Sequence, residues 1–228
     1  MKHPEDEQPV SKWVNVPFAP RRWPFFYGWV IVVAATIGTI ASVPGQTIGV
    51  GVFTDDLVLA LTLSRTELTL AYMLGTIASS FLLPFAGALT DRWGTRVMIT
   101  ASSLGLGGSL LLMMQLDKLP RFFSSSILLI AFTACAFLLI RFFGQGCLTM
   151  VSRVSIGKWF DRRRGLATGI SNILVSYCFN ASPFLLNLWL ESVGWRFTYL
   201  RLAGVIGIGM ALVGWLFYRD TPEACGLD

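Results

Sequence analysis

The chain has 228 residues, 54% of them apolar and 14% charged, with a mean hydropathy of +0.63. Soluble domains carry about 25% charged residues; here the charge is missing in blocks, which excludes a soluble globular domain and points to a polytopic membrane protein. The single histidine is His3 and the four cysteines lack metal-ligand spacing, so histidine-based catalysis, a metal centre and a bound cofactor are not expected.

Residues 1–24 are polar and proline-containing, with Lys2, Glu5, Asp6, Glu7, Lys12, Arg21 and Arg22. No short apolar core ends there in a small-residue cleavage site, so a cytosolic tail is expected and a cleavable signal peptide is not. The first apolar run extends from Phe25 to about Phe53 and opens on Phe26, Tyr27 and Trp29, aromatics suited to the headgroup interface. Pro44 and Gly45 interrupt it, followed by Gln46, Thr47, Gly49 and Gly51. Proline withdraws a backbone donor. In lipid that is tolerated where a packed neighbour or a water-filled cavity satisfies the freed groups, and both stay open. Ser64-Arg-Thr-Glu67 fits a capping box and opens the second run, Leu68–Leu89.

The polar stretch Gly87–Arg96 is expected to be a tight loop at a membrane face. The third run, Val97–Leu116, holds Gly105, Gly107 and Gly108, small residues that let helices approach closely. After a turn at Leu116–Arg121, a fourth run begins at Phe122, is interrupted by Arg141 and resumes through Ser152. The most basic segment follows, with Arg153, Lys158, Arg162, Arg163 and Arg164. The fifth run, Leu166–Leu190, contains Asn172, Ser176, Tyr177, Asn180, Ser182 and Pro183. Glu191–Arg196 turns the chain into a sixth run, from about Leu200 to Tyr218. Each run approaches the roughly 20 residues that a spanning helix needs. The expected fold is all-α and polytopic: six transmembrane helices over residues 25–218, with residues 219–228 starting a linker or a C-terminal tail.

Lys and Arg set the orientation. Twelve of the 18 fall in the tail, the 87–96 loop, the 153–164 loop and the C-terminal stretch; the three opposite loops hold five, and Arg141 is the last. Both termini are therefore expected in the cytoplasm, in a cell membrane. Topology accounts for the net charge of +5, and a nucleic-acid partner is not expected.

Asp91-Arg-Trp-Gly-Thr-Arg96 and Glu191-Ser-Val-Gly-Trp-Arg196 share acid-x-x-Gly-x-Arg, and Pro84 and Pro183 precede them by similar distances. This suggests two three-span repeats, which an odd span count makes inverted. The repeat pairs the broken first span with the fourth.

Arg141 is the one ionisable Lys, Arg, Asp or Glu well inside a run, 11 residues or about 16 Å of helix from Ser152. A guanidinium at that depth costs about 2.5–3.5 kcal/mol on insertion scales, and no carboxylate lies in any run to offset it. Three kinds of partner remain: backbone carbonyls with Gln145, a group from another chain, or an anionic ligand. A carboxylate suits the guanidinium because two N–H groups can grip two oxygens. Gln46, Gln145, Asn172, Tyr177 and Asn180 are candidate polar liners of such a substrate site.

Gly87, Leu89, Asp91, Arg92, Gly94 and Arg96 match the signature G-x-L-a-D-r-x-G-r-r between spans two and three of the major facilitator superfamily, with Thr95 departing from it. Arg141-Phe-Phe-Gly-Gln-Gly146 is similar to that family's span-four pattern, and Gly194-Trp-Arg196 to its loop after span five. From Tyr27 onward the chain resembles the N-terminal half of a twelve-helix facilitator. Phe-Phe-Tyr27-Gly-Trp-Val30 and Lys158-Trp-Phe-Asp-Arg-Arg-Arg-Gly-Leu-Ala167 look like the oxalate/formate antiporter and monocarboxylate porter branch. The basic residue that some monocarboxylate porters carry late in span one has no counterpart; Gln46 and Thr47 stand there. The resemblance implies a secondary transporter of a small organic anion working by alternating access, in the lipid bilayer. It makes Gly87, Asp91, Arg92, Gly94 and Arg96 a gating loop.

A facilitator rocks two six-span halves about a central site. The chain is accordingly expected to be a fragment, one half of a split transporter, or a subunit that pairs with a second half or a homodimer mate. Against transport stands a six-span protein that binds a ligand or partner without moving it. An intramembrane enzyme is not expected, for want of catalytic clusters in the runs.

Overall fold

The computed structural model describes residue 17, residues 20–122 and residues 125–227. Most of the expected tail, His3 included, lies outside the described residues. Among the described residues the chain is helical, without strands. Three helical stretches are long and apolar enough to cross a membrane: Arg65–Lys118, Ser126–Trp159 and Arg164–Phe217.

Helix α1 (Gly28–Ala41) breaks at Ser42–Gln46, where a single 3-10 turn, Val43–Gly45, carries Pro44. Gln46 is extended (ψ 157), and the chain re-enters helix as α2 (Thr47–Val52) and α3 (Thr54–Leu61). The break is compact because Gly49 has no side chain; a Cβ there would strike the Val43 carbonyl. Asp55 and Asp56 occupy the first turn of α3, where negative charge complements the helix dipole.

Helix α4 (Arg65–Met114) starts at the expected capping box: Ser64 Oγ accepts from Glu67 N–H at 3.2 Å, and the Glu67 carboxylate accepts from Ser64 N–H at 2.8 Å. Those bonds from Ser64, backbone first and hydroxyl second, hold the Glu67 carboxyl below its ordinary 4.5. At 50 residues a straight α4 would run about 75 Å, more than twice a bilayer's hydrocarbon core. It does not run straight. Gly94 has φ 82 and ψ 163, in a region open essentially to glycine alone. Residues on both sides of it, among them Leu82, Phe85, Leu89, Met98 and Ser102, line one apolar pocket with Phe142, Phe143 and Cys147, so the chain doubles back there. The ten-residue loop expected at Gly87–Arg96 is thus helix up to a one-residue reversal at Gly94.

Beyond α5 (Leu119–Phe122), α6 (Ser126–Ile140) passes through a π-helical segment, Arg141–Leu148, into α7 (Thr149–Trp159). Helix α8 (Arg164–Leu202) repeats the α4 device, with Gly194 at φ 80 and ψ 164. A second π-helical segment, Ala203–Met210, leads to α9 (Ala211–Phe217).

Glycines set two of the closest crossings. A Cβ on Gly45 would stand 2.8 Å from Gly144 Cα, and one on Gly144 would stand 2.8 Å from Gly45 Cα. Likewise a Cβ on Gly107 would stand 2.7 Å from Gly207 Cα, and the converse 3.0 Å. In both places backbone touches backbone. The buried core joins Ile31, Leu57, Ile99, Leu106, Leu110 and Phe137, while Phe81, Phe85, Ile173 and Phe184 are exposed. An apolar interior under an apolar exterior is what a helix bundle in lipid requires.

Candidate functional site

The break in α1 and the π-helical turn after α6 meet at Arg141. Pro44 cannot extend a helical ladder, and Gln46 leaves helical geometry, so the Gly45 carbonyl is freed. Arg141 takes it: its NH1 donates to Gly45 O at 3.2 Å and to Thr47 Oγ1 at 3.4 Å. The guanidinium lies over the Tyr72 ring, 5.2 Å from its centroid, a favourable placement for a cation. Tyr72 in turn shares a 2.9 Å hydrogen bond with Thr47 and packs edge-on against Phe137. Arg141 is buried, yet neither Nε nor NH2 forms a hydrogen bond among the described residues, and neither is sealed off completely. Thr47 and Tyr72 also wall a cavity of ≈ 150 Å³ that runs to Thr54 and Thr69. The π-helical turn is where functional sites often interrupt an α-helix.

Gln46 adjoins this cluster without reaching Arg141. Its Nε2 donates to Ser42 Oγ at 2.9 Å and to Thr149 Oγ1 at 3.3 Å, sealing the break from the α7 side. Gln145, expected beside Arg141, is exposed and makes no hydrogen bond to it. On α8, Asn172, Tyr177 and Asn180 are exposed and make no hydrogen bond to Arg141. Asn180 donates back to Ser176 O at 2.8 Å. Tyr177 lines a separate apolar groove of ≈ 680 Å³ with Pro44, Leu186 and Met210. That groove is larger than the cavity walled by Thr47 and Tyr72, but its walls are mostly apolar and carry no cation for a carboxylate. The true neighbours of Arg141 are Gly45, Thr47 and Tyr72; in the sequence, the break at Pro44 and Gly45 and the repeat that pairs it with the fourth span point to the first two, and nothing points to Tyr72.

The Gly87–Arg96 stretch divides in two. Gly87, Asp91 and Arg92 lie on the last turns before the reversal; Asp91 and Arg92 are exposed and form no ion pair among the described residues. Arg96 is buried. Its Nε donates to Trp215 O at 2.7 Å, and its guanidinium lies 4.4 Å from the centre of the Trp215 ring. The Asp220 carboxylate holds the reversal, accepting from Thr95 N–H at 2.5 Å and from Thr95 Oγ1 at 3.0 Å. Arg219 is 1% exposed, and its carbonyl accepts from Trp159 Nε1 at 3.0 Å. Burial, followed by the Arg219 charge, pushes Arg96 below its ordinary pKa, and Asp220 opposes this. Burial likewise pushes the Cys225 thiol up to about 11. The stretch expected to begin a linker or tail is therefore docked onto the α4 reversal. On the second reversal, Arg196 pairs with Asp117 at 2.6 Å. Asp220 was missed in the sequence, where its one signal is that Asp117 and Asp220 follow Gly94 and Gly194 at similar intervals.

With this geometry in view, the matching family model is informative: Major Facilitator Superfamily, over residues 25–225. The chain belongs to the major facilitator superfamily. Its apolar helices and this membership make it an integral membrane protein of a transporter family. It is similar to monocarboxylate transporter 6 of Homo sapiens, 28% identical over 184 residues that cover 78% of this chain and 33% of that protein. It is also similar to riboflavin transporter RibJ of Trypanosoma cruzi (strain CL Brener), 26% identical over 176 residues, 75% of this chain and 35% of that one. RibJ of Trypanosoma brucei brucei (strain 927/4 GUTat10.1) is 26% identical over 176 residues, 75% and 30% respectively. The chain spans about a third of the length of these curated relatives.

Proposed function

We propose that this facilitator chain is a six-span half of a secondary transporter for a small organic anion, a carboxylate, working by alternating access. The observation that carries the substrate class is Arg141: one guanidinium nitrogen is anchored by Gly45 and Thr47, and Nε and NH2 remain for a ligand. Such a pair is arranged to grip two carboxylate oxygens in parallel. Monocarboxylate transporter 6, by name, handles that chemistry.

The six-span, inverted-repeat reading draws support from the reversals. Counting both limbs of α4 and of α8–α9 with α1–α2 and α6–α7 gives six passes. Residues about one hundred apart play matching parts: Gly94 and Gly194 have the same backbone geometry, and Arg96 and Arg196 follow them. Gly45 with Gly144 and Gly107 with Gly207 are pairs of repeat equivalents that touch each other. Contacts between equivalent residues fall on a two-fold axis. In this reading residues 1–24 form a cytoplasmic tail, residues 25–218 the membrane domain in a cell membrane, and residues 219–228 the start of a cytoplasmic linker or tail. Gly87, Asp91, Arg92, Gly94 and Arg96 serve as the gating loop, Asp91 and Arg92 facing a second six-span half or a homodimer mate.

Reconstitution in liposomes tests this. The 228-residue chain is expected to bind a labelled monocarboxylate, and Arg141→Gln to weaken that binding at least tenfold at equal folding. Flux is expected only when a second half is present. Flux by isolated monomers would overturn the half-transporter reading. Binding without flux in paired samples would favour a non-transporting binding protein.

A further inference from the structure

The carboxylate site leaves the densest charge on the molecule unused. Arg153, Arg162, Arg163 and Arg164 are exposed and Lys158 is half-buried, with Asp161 the only acid among them. None of the five cations forms an ion pair among the described residues, where the carboxylate pairs of Arg65 and Arg196 lie elsewhere. The positions are gathered. Arg153 and Gly157 occupy successive turns of one face of α7, and a Cβ on Gly157 would stand 3.3 Å from the Arg164 guanidinium. The Arg164 side chain therefore folds back over α7, below Arg153. Arg163 and Arg164 also open α8, a terminus with no acidic residue in its first turn and no side-chain cap. Cations there oppose the helix dipole instead of complementing it.

The depth of this patch is marked by aromatic rings. Phe160, directly before Asp161, packs against Phe26 with centroids 5.4 Å apart and against Trp29 at 5.3 Å. Phe25 and Phe26 are exposed. Tryptophan sits at the headgroup level of a bilayer, so Trp29 marks that depth for Phe160 and the cations after it. A cluster of four or more Lys and Arg at the end of a membrane helix, at headgroup depth, meets the lipid phosphates directly.

We propose that residues 153–164 form a docking surface for anionic phospholipid headgroups, with Arg153, Lys158, Arg162, Arg163 and Arg164 engaging the phosphates and Phe25 and Phe26 resting among the acyl chains beside them. The surface selects lipid by charge. Because it spans the end of α7 and the start of α8, bound lipid also pins the connection between them.

The test uses the full chain in nanodiscs of defined phosphatidylglycerol and phosphatidylcholine content, with retained lipids counted by native mass spectrometry. Wild type is expected to retain phosphatidylglycerol in excess over its share of the bilayer. The R162Q/R163Q/R164Q variant is expected to lose that excess by roughly tenfold, each cation near the surface contributing up to about fivefold. K118Q/R201Q, which removes exposed cations at other positions, is expected to keep it. Rising salt is expected to erase the excess in wild type, an arm that needs no variant. Equal retention of both lipids by wild type, or an excess unaffected by the triple substitution and by salt, would overturn the proposal. So would an excess that appears only after residues 1–16 are removed, which would make the acidic Glu5–Glu7 stretch the occupant of the patch.

Discussion

Replacing Asp220 with alanine tests whether the segment after α9 is structural. Its carboxylate takes the Thr95 backbone N–H at 2.5 Å and the Thr95 hydroxyl at 3.0 Å, directly after Gly94, where α4 leaves helical geometry. Thr95 is fully buried, so alanine would leave a donor without a partner. Hydrogen bonds to a charged acceptor contribute about 1.5–3 kcal/mol each, and an orphaned buried donor costs about 1–3 kcal/mol. These overlap, and Asp220 is half-exposed, so the expected loss is about 2–4 kcal/mol. For a chain of this size that corresponds to a fall of roughly 5–12 °C in the unfolding midpoint. Asp220→Asn, which keeps an acceptor and drops the charge, should fall in between. The assay is thermal unfolding in detergent, beside alkylation of Cys225. That thiol is buried and its pKa is pushed up to about 11, so it should react slowly at neutral pH in wild type and faster in Asp220→Ala. An unchanged midpoint together with an unchanged Cys225 rate would refute the docked segment.

Three further outcomes follow from particular residues. Gly107→Ala is expected to destabilise by about 1–3 kcal/mol, because its Cβ would meet Gly207 Cα at 2.7 Å, whereas Gly108→Ala, with open space, should be near neutral; equal midpoints would discount the crossing. Gly194→Ala should cost about 1–3 kcal/mol for its backbone conformation alone, and Gly94→Ala more, since its Cβ would also collide with Asp220; circular dichroism melts compare them. Glu67 has a lowered pKa, so its contribution is present above the ordinary carboxylate range and is lost as pH falls through the depressed value. Glu67→Gln should flatten that acid limb in unfolding followed from pH 6 to about pH 3, and an identical limb in both would rule out the capping box as its source.

Local features were legible in the sequence. The capping box needs only residues three apart, and Ser64 and Glu67 announce it. Pro44 marks the broken span, and a backbone carbonyl stood among the partners considered for Arg141. What the sequence hid depends on contacts between distant residues. Spacing along the helix places Gln145 near Arg141, but Arg141 turns to the Gly45 carbonyl and Thr47 of a distant segment. That segment lies where Gly144 meets Gly45 across the bundle, a contact no local pattern reveals. The polar run at Gly87–Arg96 suggested a loop because charge ends a membrane span. Helix continues through it because Ala88–Trp93 have nothing against helical geometry and only Gly94 can adopt the reversal. Asp220 lies 125 residues from Thr95, so its role is visible only in three dimensions. Polarity marks Asn172, Tyr177 and Asn180 as candidate liners on α8, but it does not say which face of a helix meets Arg141.

Carboxylate recognition by Arg141, as proposed, is tested by equilibrium binding of a monocarboxylate and its uncharged amide to the reconstituted chain. Wild type should bind the carboxylate and not the amide. Arg141→Gln should lose that preference, with the carboxylate weakened at least tenfold, and Arg141→Lys should recover part of the affinity without the two-point grip. Equal binding of acid and amide by wild type, or an unaltered preference in Arg141→Gln, would contradict the account.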